Sequence, residues 1–317
     1  MTDGRVLVVG ESVVDVVPRE DGTTVEHPGG SPANVAVALT RLGVPVDLVT
    51  AVGPDTRGDL LLRHLQRSGV RVVGDAAILP RTSTAVARLD AHGAASYDFD
   101  LRTDLAEPPA AADRVHVHAG SVAAVVEPGR SAVRRVLASH RETATVSYDI
   151  NARPALTGSG PDLATAVDEV CALSDLVKAS DEDLAVVYPG TPTDEAAQRL
   201  LALGPTAVVV TRGAAGATCY TRSDEISVPG FGVTVVDTIG AGDSFLAALL
   251  DGLLRTGGLG EAGADRLSGA SRAQWYAVLS RANAAAAITV SRAGANPPTH
   301  HELDPVGTEL AHSDLPA

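Results

Sequence analysis

The sequence predicts an α/β fold, a mainly parallel central sheet with helices on both faces. Short valine-rich runs, such as Arg5-Val6-Leu7-Val8-Val9-Gly10 and Thr206-Ala207-Val208-Val209-Val210-Thr211, have the character of strands buried on both sides. Helical patterns alternate with them, for example over Pro128–His140 and Thr193–Leu203. No Pro/Ser-rich linker and no internal repeat interrupts this rhythm, so one domain over residues 1–317 is expected. At 45% hydrophobic residues the chain has ample material for one large core.

Taken in order, the first strand runs to Gly10. Asp15 follows as an isolated charge within Val13-Val14-Asp15-Val16-Val17. It is either an outward-facing strand residue or a carboxylate turned into a pocket to hold hydroxyls. Pro28-Gly29-Gly30 then turns the chain into a helix, with Ser31 expected as N-cap and Pro32 as first helical residue. Asn34 falls in that first turn, a poor choice for an Ala/Val-rich helix unless its amide faces a ligand beside the bare glycine backbone. A strand over Val46–Gly53 and leucines at helical spacing over Asp59–Ser68 come next. Residues 84–100 read as a hairpin about Ala91-His92-Gly93, with Tyr97 and Phe99 on one face. Such a hairpin is a flap over a substrate or a dimer surface.

Strands are expected at Val115–Gly120, Thr145–Ile150 and Leu176–Lys178, with helices at Pro128–His140 and Leu163–Ser174. In parallel sheets ligands sit at the carboxyl ends of the strands. Asp149-Ile150-Asn151-Ala152-Arg153 and the Arg212-Gly213-Ala214-Ala215-Gly216 loop fall there. Gly257–Ser271 reads as loop with weak helix, Trp275–Thr289 as an alanine-rich helix carrying Asn283, and residues 299–317 as a loosely held tail.

The most informative stretch is Val236-Asp237-Thr238-Ile239-Gly240-Ala241-Gly242-Asp243-Ser244-Phe245, a turn emptying into an almost wholly apolar helix. Glycines let a ligand approach the backbone, and the open amides of a helix start attract an anion, typically phosphate. Asp243 is out of place at such a mouth unless it has a chemical task. A carboxylate beside a phosphoryl group can accept the proton of an attacking hydroxyl. The alternative is an acidic residue that merely complements the helix dipole.

Other classes are disfavoured. The net charge of −14, from 25 basic against 39 acidic residues, argues against nucleic acid or an anionic membrane as partner. Cys171 and Cys219 have no metal spacing and read as small core residues. Lys178 is the only lysine and does not follow a glycine, which excludes a Walker-type phosphate loop. His116 and His118 share a strand face without the carboxylate–histidine set of a metal hydrolase. The chain passes from Met1 directly into a strand, and no apolar run reaches membrane-spanning length, so the expected location is cytoplasmic.

Asp237-Thr238-Ile239-Gly240-Ala241-Gly242-Asp243-Ser244-Phe245 resembles the C-terminal signature of the ribokinase-like sugar kinases, the phosphofructokinase B group. Pro28-Gly29-Gly30-Ser31-Pro32-Ala33-Asn34 resembles their N-terminal signature, in the same order and separation. His118–Ser121, Glu127-Pro128-Gly129 and Asp149–Pro154 are most similar to the fructokinase branch. The resemblance implies a three-layer sandwich with a small β-sheet lid, here segments 12–27 and 82–101, and a homodimer formed through that lid. It implies transfer of the γ-phosphate of ATP to a sugar hydroxyl with Mg²⁺. Asp243 would be the base, and Gly240, Ala241 and Gly242 the anion hole. Asp15, Gly29, Gly30, Asn34, Tyr97, Phe99, Asn151 and Arg153 would line the sugar site. Lys178, Ser180, Thr211, Gly213, Gly216 and Asn283 would line the nucleotide site. Ser180 and Asp183 stand where the family often has Asn-x-x-Glu, so Asp183 would reach Mg²⁺ through water. Asp237, with the Ser291–Pro298 loop, would hold K⁺. Alternatives are a ribokinase, nucleoside kinase or 2-keto-3-deoxygluconate kinase, or a catalytically silent sugar- or nucleotide-binding regulator.

Overall fold

The computed structural model describes residues 4–19, 23–89, 95–260 and 263–304. The first half of the chain contributes β1 (Arg5–Val9), β2 (Val13–Pro18), β3 (Thr24–Gly29), α1 (Ser31–Arg41), β4 (Val46–Val49) and α2 (Thr56–Arg67). Next come β5 (Arg71–Val72), β6 (Thr84–Leu89), β7 (Ala95–Asp100), β8 (Arg114–Gly120) and α3 (Gly129–His140). Then follow β9 (Thr145–Asp149), α4 (Pro154–Thr157), α5 (Pro161–Cys171), β10 (Leu176–Ser180), α6 (Asp181–Val187) and α7 (Thr193–Ala202). The chain continues through β11 (Ala207–Thr211), β12 (Ala217–Thr221), β13 (Glu225–Val228), α8 (Ala241–Arg255), α9 (Gly263–Ser268) and α10 (Arg272–Val290).

Nine strands form the central sheet in the order β13-β12-β11-β10-β9-β8-β1-β4-β5. Its pairings are parallel except at the β11-β12-β13 edge, which is antiparallel. The expected fold class holds; the two antiparallel edge strands went unread because tight hairpin returns lack the helix that marks a parallel crossover. A second sheet, β3-β2-β6-β7, is built from the segments expected as a lid. Its β6–β7 pairing is the expected hairpin, whereas the turn at Ala91-His92-Gly93 lies outside the described residues.

Valines alternate between two cores. Val6 and Val8 pack with α1, α8 and α10, and Leu7 and Val9 pack with α3, α5 and α7 on the other face. α8 carries most of the first core: residues Ser244 through Leu254 are all buried. A helix apolar all round must lie between layers. Each of its buried leucines contributes about 1.5–3 kcal/mol. That outweighs the cost, about 1 kcal/mol each, of glycines inside a helix. Gly252 lets α10 approach closely, since a Cβ there would lie 3.1 Å from Val278.

Two local expectations are corrected. Gly30, at φ 99°, precedes the first turn of α1, and Ser31 is a helical residue whose hydroxyl leaves for another partner. The described part of the expected loose tail is held: Leu303 is fully buried, and Glu302 pairs with Arg292 at 2.5 Å. An apolar residue and a carboxylate with a waiting guanidinium are enough to dock this short turn.

Candidate active site

The helices α1 and α8 begin next to one another although their first turns are separated by some two hundred residues. Ser31 Oγ donates to Asp243 Oδ1 at 2.6 Å, and Asn34 Nδ2 donates to Asp243 Oδ2 at 2.9 Å. Asn34, expected in a sugar site, is therefore also a clamp on the expected base. Ser31 is the partner that sequence reasoning missed. The three-residue spacing of Ser31 and Asn34, which places both on one side of a helix, was the available signal.

Gly240 adopts the left-handed conformation, φ 76°, immediately before α8. The amides of Gly242 and Asp243 are left open by the helix geometry. The turn is pinned from three sides. Asp237 accepts from Ile239 N at 3.0 Å and from Gly294 N at 2.8 Å, tying the turn to the 291–298 loop. Thr289 donates to Ser244 Oγ at 2.8 Å from α10. A Cβ on Gly240 would lie 2.8 Å from Ala295 Cβ. Preorganised amides of this kind avoid reorganisation as charge develops.

Asp15 sits in β2 against the glycine turn. A Cβ on Gly29 would lie 2.3 Å from Asp15 Oδ2, and one on Gly30 would lie 2.8 Å from Glu11 O. Burial pushes the Asp15 carboxyl up to about 6, against the pull of His27 and Arg153. Arg153 thus stands close enough to act on Asp15, and its Nη1 donates to Ala152 O. Asn151, at φ 38°, donates to Ser121 Oγ at 3.3 Å, and Ser121 has φ 62°. They are the two positive-φ residues other than glycine among the described residues, and both follow adjacent strand ends. Phe99 pairs with Ala85 in the small sheet, while the side chain of Tyr97 lies outside the described residues.

With its pKa raised, Asp15 is ionised above about pH 6 and protonated below it. If the carboxylate holds sugar hydroxyls, kcat/KM for the sugar falls as the pH drops through about 6. Hydrogen bonds to a charged group are worth about 1.5–3 kcal/mol. Asp15→Asn should therefore raise the sugar KM at neutral pH roughly tenfold or more and remove that step. A variant with the wild-type profile between pH 5 and 8 would show that Asp15 does not contact the sugar.

On the other side, Thr211 ends β11, and Gly213–Ala215 form a 3₁₀ turn after it. Gly216, at φ 97°, is required where a Cβ would lie 2.1 Å from Val228 O. A cleft of about 430 Å³, lined by Arg212, Ala215, Thr218 and Pro229, adjoins this turn. Asn283 is buried, and its amide donates to Val228 O and Pro229 O at 3.2 and 3.1 Å, so it braces the cleft wall. Ser180 and Asp183 form a reciprocal capping box at the start of α6. Asp183 accepts from Ser180 N at 2.7 Å and from Ala152 N at 2.8 Å. Both of its oxygens thus already hold backbone amides. Lys178 is buried and donates to Asp149 Oδ2 at 3.0 Å. His116 and His118 are held down at about 3 by burial and bond to Thr145 and Ser147.

Residues 3–302 match the pfkB family carbohydrate kinases. The chain belongs to this family, and it is a carbohydrate kinase. It is 38% identical over 269 residues to a fructokinase of Klebsiella pneumoniae, covering 80% of this chain and 86% of that protein. Among solved structures it is similar to fructokinase with bound ATP from Xylella fastidiosa, with TM-score 0.83, 26% identity and coverage of 98% and 100% of the two chains. It is also similar to a fructokinase double mutant of Vibrio cholerae O395 bound to fructose, ADP and potassium, with TM-score 0.80, 28% identity and coverage of 96% and 98%. Among the described residues no helix is long and apolar enough to cross a membrane.

Proposed function

We propose that this kinase moves the γ-phosphoryl group of ATP to a hydroxyl of fructose, with Asp243 as general base. The observation that carries the mechanism is the Asp243 carboxylate, clamped by Ser31 and Asn34 at the mouth of the open α8 amides. Asp243 accepts the proton of the attacking hydroxyl as the new O–P bond forms and the bond to the ADP oxygen breaks. The open Gly242 and Asp243 amides face the phosphoryl oxygens, whereas the Ala241 amide, expected to join them, donates to Thr238 O at 3.3 Å; Asp15 with the Gly29-Gly30 backbone orients the sugar. With a loose transition state, alignment and charge stabilisation supply most of the acceleration. The similarity to fructokinases supports fructose over other sugars.

The site fits a divalent cation carried with the nucleotide. Asp149, Asp183 and Asp243 all act electrostatically on the single ammonium of Lys178, leaving negative charge in excess. Among the described residues no group of three or more acidic, histidine or cysteine side chains forms a metal cage. A largely hydrated Mg²⁺, held by Asp183 through water, suits that arrangement. When bound it neutralises phosphate charge. A monovalent ion at the 237 and 291–298 loops would rest on carbonyls that Asp237 keeps together.

ADP release with Mg-ATP and K⁺ against fructose, ribose, 2-keto-3-deoxygluconate, fructose 6-phosphate and adenosine tests this reading. Strong turnover on fructose alone is expected. Turnover on another acceptor would overturn the choice of sugar, and silence on all of them would overturn the activity.

A further inference from the structure

The chain's one lysine occupies the centre of the sheet at the floor of this site, where neither fold nor packing requires a charge. Lys178 is 4% exposed. Its Nζ bonds Asp149 Oδ2 at 3.0 Å and, among the described residues, donates to nothing else, although an ammonium has three donors. A Cβ placed on Gly242 would come within 3.1 Å of that nitrogen. The ammonium therefore lies directly against the second residue of α8, beside the open amides. Burial works against its charged form, but Asp149, Asp183 and Asp243 outweigh this and hold it above the ordinary lysine range. His118, the other titratable neighbour, is kept neutral by burial and by this same ammonium.

A purely structural ion pair is the competing explanation, and two observations weigh against it. Strands β9 and β10 are already joined by their backbone ladder, and well-packed apolar residues commonly replace a buried pair without loss of stability. The pair is also incomplete, since Asp149 Oδ1 is buried without a hydrogen-bond partner, whereas structural pairs have their remaining lone pairs satisfied. Lysine rather than arginine suits the place, because a compact point charge fits beneath a helix end where a planar fork does not.

We propose that Lys178 is a catalytic residue whose ammonium contacts the phosphoryl group in transfer beneath the first turn of α8, and that Asp149 is the positioning residue that aims it. The proposal rests on the kinase reading given above and adds a cationic side chain to its backbone anion hole. The missing side chain of Gly242 leaves the space in which the ammonium lies, since a Cβ there would crowd it at 3.1 Å.

The test compares Lys178→Met, Asp149→Asn and the double variant with the wild type, by steady-state kinetics and thermal unfolding. Lys178→Met should lower kcat about 10²–10³-fold, the loss typical of one preorganised donor to a developing oxyanion, with the sugar KM nearly unchanged. It should also lower Tm, since it leaves a buried carboxylate unpaired. Asp149→Asn should lower kcat less, because the charge remains but loses its anchor. The double variant separates the explanations: it should recover the lost Tm and keep the kcat defect. Recovery of both would show that the pair only holds the fold and would overturn the proposal. If Lys178→Met does not fold, the double variant alone decides. A wild type silent on every sugar would instead bring down the kinase reading and this proposal with it. An active wild type with an equally active double variant would remove this proposal alone.

Discussion

Replacing Asp243 by asparagine should lower kcat by about 10²–10⁴, the usual contribution of a positioned general base. The carboxamide nearly matches the carboxylate in shape. It can accept from Asn34 with its oxygen and donate to Ser31 Oγ with its nitrogen, so the bridge between α1 and α8 is preserved. What it loses is the capacity to take a proton. The KM values for sugar and ATP should therefore move little, and Tm should stay near that of the wild type. The defect then belongs to the chemical step and not to binding or folding. Initial-rate kinetics with fructose, alongside thermal unfolding, measure it. Wild-type turnover in Asp243→Asn would end the base assignment and leave the helix-dipole explanation of that carboxylate.

The second large effect concerns backbone geometry. Gly240→Ala places a side chain at φ 76°, which costs about 1–2 kcal/mol in the left-handed region. Its Cβ also meets Ala295 Cβ at 2.8 Å. Relief requires the turn and the 291–298 loop to part, and the amides of Gly242 and Asp243 turn with them. Loss of one aligned oxyanion donor typically costs 10²–10³ in kcat, and a drop of about this size is expected. The double variant Gly240→Ala/Ala295→Gly removes the Cβ–Cβ contact but neither the 3.0 Å approach to the Cα of residue 295 nor the φ strain, so it should recover only part of the loss. If Gly240→Ala retains full kcat, the α8 amides do not stabilise the phosphoryl group.

The residues behind both predictions were visible before folding, whereas their tertiary partners were not. Gly240, Gly242 and Asp243 announce themselves in one continuous stretch, because a helix start needs its glycines and its acid at fixed local offsets. The Gly29-Gly30 turn before α1 was legible for the same reason. The roles of Ser31 and Asn34 toward Asp243 were not, since that contact joins residues more than two hundred positions apart. The pair Ser180 and Asp183 shows the opposite case. Their three-residue spacing is a local capping signal as well as a departure from the family's Asn-x-x-Glu, and the structure shows the cap.

Alternation of apolar runs and helical patterns determined the α/β class, because burial on both faces of a parallel sheet dictates residue type locally. Local glycine spacing likewise determined the turn before α8 and the carboxylate within it. Only the tertiary structure decided that Lys178 lies beneath that turn, that Asp149 holds it, and that the β12 and β13 returns close one sheet edge antiparallel. Those outcomes depend on which strands become neighbours, and neighbouring is settled by packing across the whole core.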